Sequence, residues 1–399
     1  MSGRISTQAL YLQSLASMLN QQAALARTQQ QVGTGRRFAT AADDPVAASR
    51  ELDLNRSLGR LAQLKQNISV ANHRLGLEDN ALAEVTDTLQ RVRELAVLAN
   101  SDTNEGSRDV IVEELNQLLG HLVQTANASD GEGGYLFSGF SADGQPFVRD
   151  NTVVQYRGDQ GQRFLQIGPE RRVADSDSGA AVFQFVRNGN GSFTTAAASE
   201  NSGSAIIDNG AVRNAGAWVP GRYEISFGTA NDYEVKDDFG AVVASGTYED
   251  GGVISFNGID VSLSGPAASG DLFVIEPAQY QDIFAMVQGF IDTATGQSAD
   301  SGARAIFHSE MNTVLGNLDQ ALEHIARVRT RVGTRLSALD DQQQMNLDSK
   351  LSLETTLSDV RDIDLIEAAS RLDLERVALQ AAQQAFLRVQ NLSLFRLLG

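Results

Sequence analysis

Apolar residues recur every seven positions in four separate stretches of the chain, two of which lie at its ends. This spacing places the apolar side chains along one side of a helix, which indicates a helix that packs lengthwise against another. The two ends are therefore predicted to be helices that can pair with each other. The terminal repeats comprise Ile5, Leu12 and Leu19 at one end, and Leu365, Leu372, Leu379 and Phe386 at the other.

The two inner repeats run from Ala47 to Ala96 and from Met311 to Leu339. Asp44 can cap the first of these helices, and Pro45 suits its first position because no hydrogen bond is lost there. A helix that spans the first of these repeats would be roughly 80 Å long, and a helix of that length indicates an elongated bundle rather than a compact core. Residues 342–357 are polar and irregular in pattern, so a hinge is predicted there, before the final helix.

Between Gly134 and Glu276 the pattern changes to alternating residues and tight turns, which favours strands. The strongest predicted hairpin is 253–263, because Asn257-Gly258 accepts the positive backbone angles of a two-residue turn. A second candidate hairpin is 183–187 with its turn at 188–189, and the strands between 223 and 275 are predicted to form a β-meander. Twenty of the 25 aromatic residues lie between Tyr135 and Phe290, which marks this region as a distinct domain.

The predicted fold class is mainly α with an inserted all-β domain. The N- and C-terminal arms form a long antiparallel helical bundle or coiled coil, and β-hairpins and a β-meander form the middle. The predicted division is 1–42 (N-terminal assembly helix), 43–168 (N-terminal arm of the helical rod domain with a β-hairpin), 169–278 (outer β domain), 279–358 (C-terminal arm of the rod domain) and 359–399 (C-terminal assembly helix).

The formal net charge is −18, but residues 1–42 and 376–399 contain no Asp or Glu. Those ends carry four and three arginines, so the remainder carries −25 (−18 minus 7). Such an acidic chain would be repelled by phosphates, which argues against a nucleic-acid partner. No apolar run is long enough for a transmembrane helix. A signal peptide is disfavoured because Gln13, Ser14 and Ser17 interrupt the N-terminal apolar region.

No motif for catalysis, cofactor binding or metal binding is found. The chain has no cysteine, and its histidines (His73, His121, His308 and His324) lack the spacing of metal ligands. Asp175 and Asp177 resemble the start of a calcium loop, but Ala180 and Val186 occupy positions that require glycine and a bidentate acid. We therefore expect neither an enzyme nor a cofactor.

The candidate site is the pair of terminal helices. Their apolar stripes are narrow and lie outside the long bundle, and a lone two-helix hairpin is marginal in water. This favours self-association over burial within one chain. The predicted assembly interface is Ile5, Leu12, Leu19, Leu365, Leu372, Leu379, Phe386, Val389, Leu394 and Phe395.

Several short segments in both arms form a recognisable set: residues 4–7, 33–37, 43–49, 134–140 with 146–147, 381–386 and 392–395. Together they resemble the bacterial flagellin family, and within it the hook-associated proteins of the hook–filament junction. The filament flagellins are the close competitor, but there the two aspartates are usually followed by alanines, whereas Pro45-Val46 follows Asp43-Asp44 here.

The resemblance implies a non-enzymatic structural adaptor that is secreted to the extracellular hook–filament junction of the bacterial flagellum. Its implied partners are other copies of itself in a ring, a hook-associated protein on the hook side, filament flagellin, an export chaperone and the type III export apparatus. Neither nucleic acid nor membrane insertion is implied. A second interpretation is a filament flagellin. A third is an adhesive or carbohydrate-binding module displayed on a coiled coil, with Trp218, Tyr223 and Tyr233 as contacts.

Overall fold

The computed structural model describes residues 7–101, 106–131, 133–141, 144–296 and 300–395, and their side chains except at 7, 8, 10, 230 and 389–395. Two compact units are present: Met1–Gln66 with Gln342–Gly399, and Asn67–Asp341. The described helices are α1 (Thr7–Thr34), α2 (Pro45–Ala99), α3 (Arg108–Ala126), α4 (Ile283–Thr295), α5 (Ser301–Arg361) and α6 (Leu365–Phe395).

The strands lie between α3 and α4 and are mostly short. They are β1 (Phe147–Asp150), β2 (Val153–Tyr156), β3 (Phe164–Gln166), β4 (Arg172–Ala174), β5 (Val186–Arg187), β6 (Phe193–Ala197), β7 (Ile206–Ile207), β8 (Ala211–Val212), β9 (Tyr223–Phe227), β10 (Asp232–Asp237), β11 (Val242–Thr247), β12 (Val253–Phe256), β13 (Ile259–Ser264), β14 (Leu272–Pro277) and β15 (Tyr280–Gln281). This arrangement confirms the predicted fold class, with helices at both ends and strands in the middle.

From Ile68 onward, the inner seven-residue repeats form the helical core of the second unit. Leu75, Leu82 and Leu89 of α2 are fully buried there, together with Leu318 and Ile325 of α5. Phenylalanines from the strand region extend this core: the ring of Phe183 lies 5.2 Å from that of Phe147 and 5.6 Å from that of Phe284. This part of the inner repeats is therefore covered within one chain, whereas Leu54 and Leu61 of α2 are only partly buried.

Two antiparallel sheets enclose a second core in the same unit. One has the strand order β11-β10-β9-β14-β6, and the other has β12-β13-β7 with β8 also paired to β13. Alternating positions of β9 and β13 are buried between them, as the period of a strand requires. Three two-stranded ribbons, β1–β2, β3–β4 and β5–β15, complete the strand region.

The predicted Asn-Gly hairpin is confirmed. Phe256 pairs with Ile259 across the turn, and Asn257 and Gly258 have φ angles of 43° and 81°. The consecutive strands β9, β10 and β11 form a meander, but β14 joins it beside β9. The sheet is therefore not a simple meander, because β14 pairs with the first of these three strands and not with the last.

The second predicted hairpin, at 183–187, is wrong. Ala180–Gln184 is a π-helical turn, and β5 pairs with the distant β15 instead of with a neighbouring strand. Phe183 explains the difference, because its ring is fully buried among other aromatic rings and the backbone turns to place it there.

The hinge predicted at 342–357 is also wrong, because α5 continues unbroken to Arg361. The segment has neither proline nor glycine, and polar side chains bond along the helix. Gln342 bonds to Asn346 at 3.1 Å, and Gln344 bonds to Asp348 at 3.0 Å. Most of these polar side chains are exposed, and buried Gln342 and Asn346 bond to each other, so the polar composition does not mark a break. No described helix has the length and apolar character needed to cross a membrane.

Candidate assembly surface

A short joint in the first unit connects the terminal helices to the arms. Gly35, with a φ of 70°, ends α1, and its carbonyl accepts the N–H of Ile363 at 3.0 Å. Two residues on, the N–H of Arg37 donates to the carbonyl of Arg361 at 2.7 Å. The end of α1 and the start of α6 are therefore held side by side by backbone hydrogen bonds.

Side chains reinforce this joint. Phe38 is buried with Ala47 and Val360 in a small apolar cluster. The N–H of Thr40 donates to Asp43 at 2.9 Å, and this bond, with others from the same turn, lowers the pKa of the Asp43 carboxyl. Asp44 accepts the N–H of Ala47 at 2.9 Å, as its predicted capping role requires.

From the joint, α1 and α6 run antiparallel and pack against each other. Their contact extends at least to Tyr11 and Phe386, whose ring centroids lie 5.2 Å apart. On α6 the side facing α1 carries buried Ala368 and half-buried Leu372 and Leu379. Three of the predicted interface residues, Leu372, Leu379 and Phe386, therefore lie in a contact within the chain. The half-buried side of α1 comprises Ser14, Leu15, Met18, Gln21, Ala24, Leu25, Gln31 and Val32, with Thr28 buried.

The other side of α1 carries a second apolar stripe that faces away from α6. The side chains of Leu12 and Leu19 are 57% and 53% exposed. This stripe, called the α1 outward stripe, is completed by exposed Ala9, Ala16, Ala23 and Ala26. Two of the predicted interface residues, Leu12 and Leu19, thus lie where a second molecule can reach them.

Helix α6 has a matching feature, the α6 outward stripe. Ile366, Leu374 and Val377 are 85%, 69% and 62% exposed. Exposed Ala381 and Ala385 continue the stripe at helical spacing. Sequence reasoning missed these residues because it assigned a single apolar stripe to each terminal helix. The sequence of α6 does contain this second set of apolar residues, which lies between the members of the seven-residue repeat.

The remaining predicted interface residues are less informative. Leu365 is exposed at the start of α6. Ile5 lies outside the described residues, and Val389, Leu394 and Phe395 lie in α6 where side chains are outside the described part of the chain. The assignment of all ten residues to an interface between molecules stays a prediction.

The aromatic residues proposed for an adhesive surface are part of a core instead. Tyr223 is buried, and its hydroxyl donates to the carbonyl of Val219 at 2.7 Å. Trp218 and Tyr233 are partly buried and pack against the same core. Sheet packing therefore accounts for all three side chains, because their rings face the apolar residues between the two sheets. Among the described residues, no group of three His, Asp or Glu side chains is arranged to hold a metal ion.

Known proteins resemble this chain over both ends and over most of its length. Models of the bacterial flagellin N-terminal and C-terminal helical regions match residues 5–142 and 315–398. Flagellar hook-associated protein 3 of Escherichia coli (strain K12) is 24% identical over 396 residues, which are 99% of each chain.

Solved structures resemble it as well. FlgL of Xanthomonas campestris is 32% identical with a TM-score of 0.71, and the match covers 76% of this chain and 99% of that one. The flagellar junction protein FlgL of Legionella pneumophila is 29% identical with a TM-score of 0.71, and the match covers 78% of this chain and 100% of that one.

Proposed function

We propose that this chain, which belongs to the flagellar hook-associated protein 3 (FlgL) family of the bacterial flagellins, is a structural adaptor that joins hook to filament. The observation that carries the proposal is the pair of outward stripes on α1 and α6. Each terminal helix already covers one apolar side against the other helix and still exposes a second. A second molecule is the natural cover for those stripes.

The two outward stripes differ in sequence and lie on different helices. A contact between the α1 outward stripe of one copy and the α6 outward stripe of the next is therefore heterologous, and heterologous contacts close into rings when the rotation closes. The alanines at 16, 23, 381 and 385 allow the helices to approach closely. Burying the exposed part of each large side chain contributes on the order of 1 kcal/mol, and the contribution repeats at every contact of the ring.

The charge distribution agrees with this contact. Neither 1–42 nor 376–399 contains a carboxylate side chain, so packing the α1 outward stripe against the α6 outward stripe from Val377 onward desolvates no side-chain anion of these segments. The acidic residues of α6, Glu367, Asp373 and Glu375, lie in its first third, beside Ile366 and Leu374, and Glu367 pairs with Arg371. The apolar ends are thus suited to close packing, and the acidic middle is suited to solvent.

Family membership supports the remaining parts of the proposal. The chain is not an enzyme; it is exported by the type III apparatus with an export chaperone and lies outside the cell at the hook–filament junction. Its neighbours there are a hook-associated protein on the hook side and filament flagellin.

The test uses two substitutions on one helix. Val377→Asp alters the α6 outward stripe, and Gln383→Asp adds the same charge at an exposed polar position of α6. In cells that lack the native copy, Val377→Asp should fail to attach filaments and should release filament protein into the medium, because a carboxylate in an apolar contact costs several kcal/mol. Gln383→Asp should attach filaments. Both purified variants should keep the wild-type melting temperature.

Normal filament attachment with Val377→Asp would contradict the assignment of this stripe to the assembly contact. A separate observation tests the rival filament function. Cells without this chain should build complete hooks and shed filament protein if the chain is a junction adaptor. If instead no filament protein is made or shed, the chain is the filament subunit itself.

A further inference from the structure

An ionic cluster lies in the second unit, with Arg74 and the three aspartates buried, Arg335 partly buried and the side chain of Arg163 46% exposed. Arg74 of α2 donates to Asp130 at 2.6 Å and lies 3.3 Å from Asp175, and Arg163 also contacts Asp175 at 2.9 Å. Arg335 of α5 contacts Asp177 at 2.9 Å. Three arginines thus face three aspartates, and their formal charges balance.

Glu78 is the odd carboxylate in this cluster. It lies one turn after Arg74 on α2 and is fully buried. Its Oε1 accepts the backbone N–H of Asp177 at 3.2 Å, whereas its Oε2 has no hydrogen-bond partner among the described residues. If Glu78 were ionised, the cluster would hold a fourth anion against three cations.

The charged groups around Glu78 do not supply a further cation. From the segment after β4 it faces Asp175 and Asp177, and from α5 it faces Arg335, which is already bonded to Asp177. Asp79, the next residue of α2, pairs with Arg329 of α5 at 3.1 Å and is partly exposed. The Asp79–Arg329 pair has no net charge, so it does not compensate the negative charge that an ionised Glu78 would carry.

The environment therefore favours the neutral acid. Burial, reinforced by the negative charge of Asp177 and opposed by Arg335, raises the pKa of Glu78 to about 8. In the unfolded chain the same side chain titrates near 4.5. Between these values the folded protein holds a proton that the unfolded chain has lost, so stability from this group falls as pH rises through that interval.

We propose that Glu78 is a proton-controlled latch, closed when the carboxyl is neutral, whose ionisation moves the segment 175–178 away from Glu78 around Asp177. An ionised Glu78 accepts the N–H of Asp177 more strongly, so the opening is driven by desolvation of the carboxylate and by its repulsion from the Asp177 side chain. The segment yields at Asp177, because Glu78 is fixed on a long helix and Arg74 and Arg163 still hold Asp175. Release lets water reach the carboxylate, which removes the cost of a buried unpaired charge. The latch is independent of the assembly role proposed for the terminal helices.

Glu78→Gln tests the latch, because the amide has nearly the same shape and stays neutral at every pH. The measurement is the unfolding equilibrium constant from urea titrations between pH 5 and 9.5. The unfolding equilibrium constant of wild type, divided by that of Glu78→Gln, should rise by up to tenfold per pH unit. The rise should be roughly fiftyfold between pH 6 and 8, and the ratio should level off above the pKa of Glu78 in the folded protein. Glu113→Gln, an exposed glutamate of α3, is the matched control and should keep the wild-type pH profile.

Two further measurements locate the effect. The infrared band of a protonated carboxyl should be present in wild type at pH 7, absent in Glu78→Gln, and lost from wild type above pH 9. At pH 9, amide hydrogen exchange at 175–178 should be faster in wild type than in Glu78→Gln, and comparison at one pH cancels the intrinsic pH dependence of exchange.

Parallel pH profiles for wild type and Glu78→Gln would overturn the proposal, as would absence of the infrared band at pH 7. A flattened profile for Glu113→Gln would assign the effect to net charge instead. Faster exchange spread evenly over the second unit would show that ionisation opens the whole unit, and would likewise overturn the latch at 175–178.

Discussion

Helices α1 and α2 carry the same seven-residue repeat with opposite outcomes. Leu75, Leu82 and Leu89 of α2 are fully buried, whereas Leu12 and Leu19 of α1 are more than half exposed. The core section of α2 is surrounded by α3, α4, α5 and the strand region, whereas α1 packs chiefly along α6 in the described part of the chain. A repeat therefore indicates that a side of a helix will be covered, and the number of neighbours decides whether the same chain covers it.

The terminal pair also shows why one stripe for each helix is too simple a description. Leu379 faces α1, while Val377, only two residues away, lies on the outward stripe of α6. Two residues on a helix are separated by about 200° of rotation, so neighbouring apolar residues serve opposite sides. A terminal helix with two apolar sides is suited to two partners, one within the chain and one outside it.

The largest expected difference between the two regions is in stability. Leu75→Ala should lower the free energy of unfolding by about 2–5 kcal/mol, because it leaves a cavity in a closely packed core. Leu19→Ala, the same change on an exposed position, should alter it by no more than about 0.5 kcal/mol. Urea titration followed by circular dichroism checks both values. Equal losses would mean that α1 belongs to the folding core of the monomer.

A smaller effect should separate the two sides of α6. Leu379→Ala removes a half-buried side chain from the contact with α1 and should weaken the pairing of the helices by roughly 1 kcal/mol. Val377→Ala should leave that pairing unchanged, since its side chain faces away from α1. Limited proteolysis of the purified monomer is the measurement, with cleavage within α1 and α6 as the readout. Faster cleavage of Val377→Ala than of Leu379→Ala would reverse the assignment of the two sides.

The smallest effect concerns charge. The residues between the terminal segments carry −25, so the middles of two copies repel each other, and salt screens that repulsion. Raising the ionic strength from about 0.01 to 0.15 M should increase self-association by a few-fold. Light scattering at fixed protein concentration measures it, with Val377→Asp as the control that should stay monomeric at both salt concentrations. An unchanged wild-type signal would mean that charge does not govern association.

Much of the fold was predictable because its signals are local. The cap at Asp44, the repeat through α2 and the Asn257-Gly258 turn each depend on residues close in sequence, and the structure confirms them. The failures at 183–187 and 342–357 have a common cause. Phe183 is directed by aromatic rings far away in the chain, and the polar stretch of α5 stays helical without an apolar pattern to reveal it.

The candidate assembly surface was likewise predictable only in part. The resemblance and the end repeats identified α1 and α6 as the elements that matter, but they did not distinguish the side of each helix that faces the other. Leu12 and Leu19 were named and lie outward, whereas Ile366, Leu374 and Val377 were not named and lie outward too. That distinction depends on how two helices rotate about their axes when they pack, which a repeat within one helix leaves open.

By itself, the sequence determined most of the helices and strands and the family that the chain resembles, because side-chain period and turn chemistry act over a few residues. Only the tertiary structure decided which apolar stripes remain uncovered and which charges meet. Glu78, Asp177 and Arg335 are separated by 99 and 158 positions in the chain and form one buried cluster in the folded protein. No local pattern marks them, because burial and charge balance are properties of the space that the folded segments enclose.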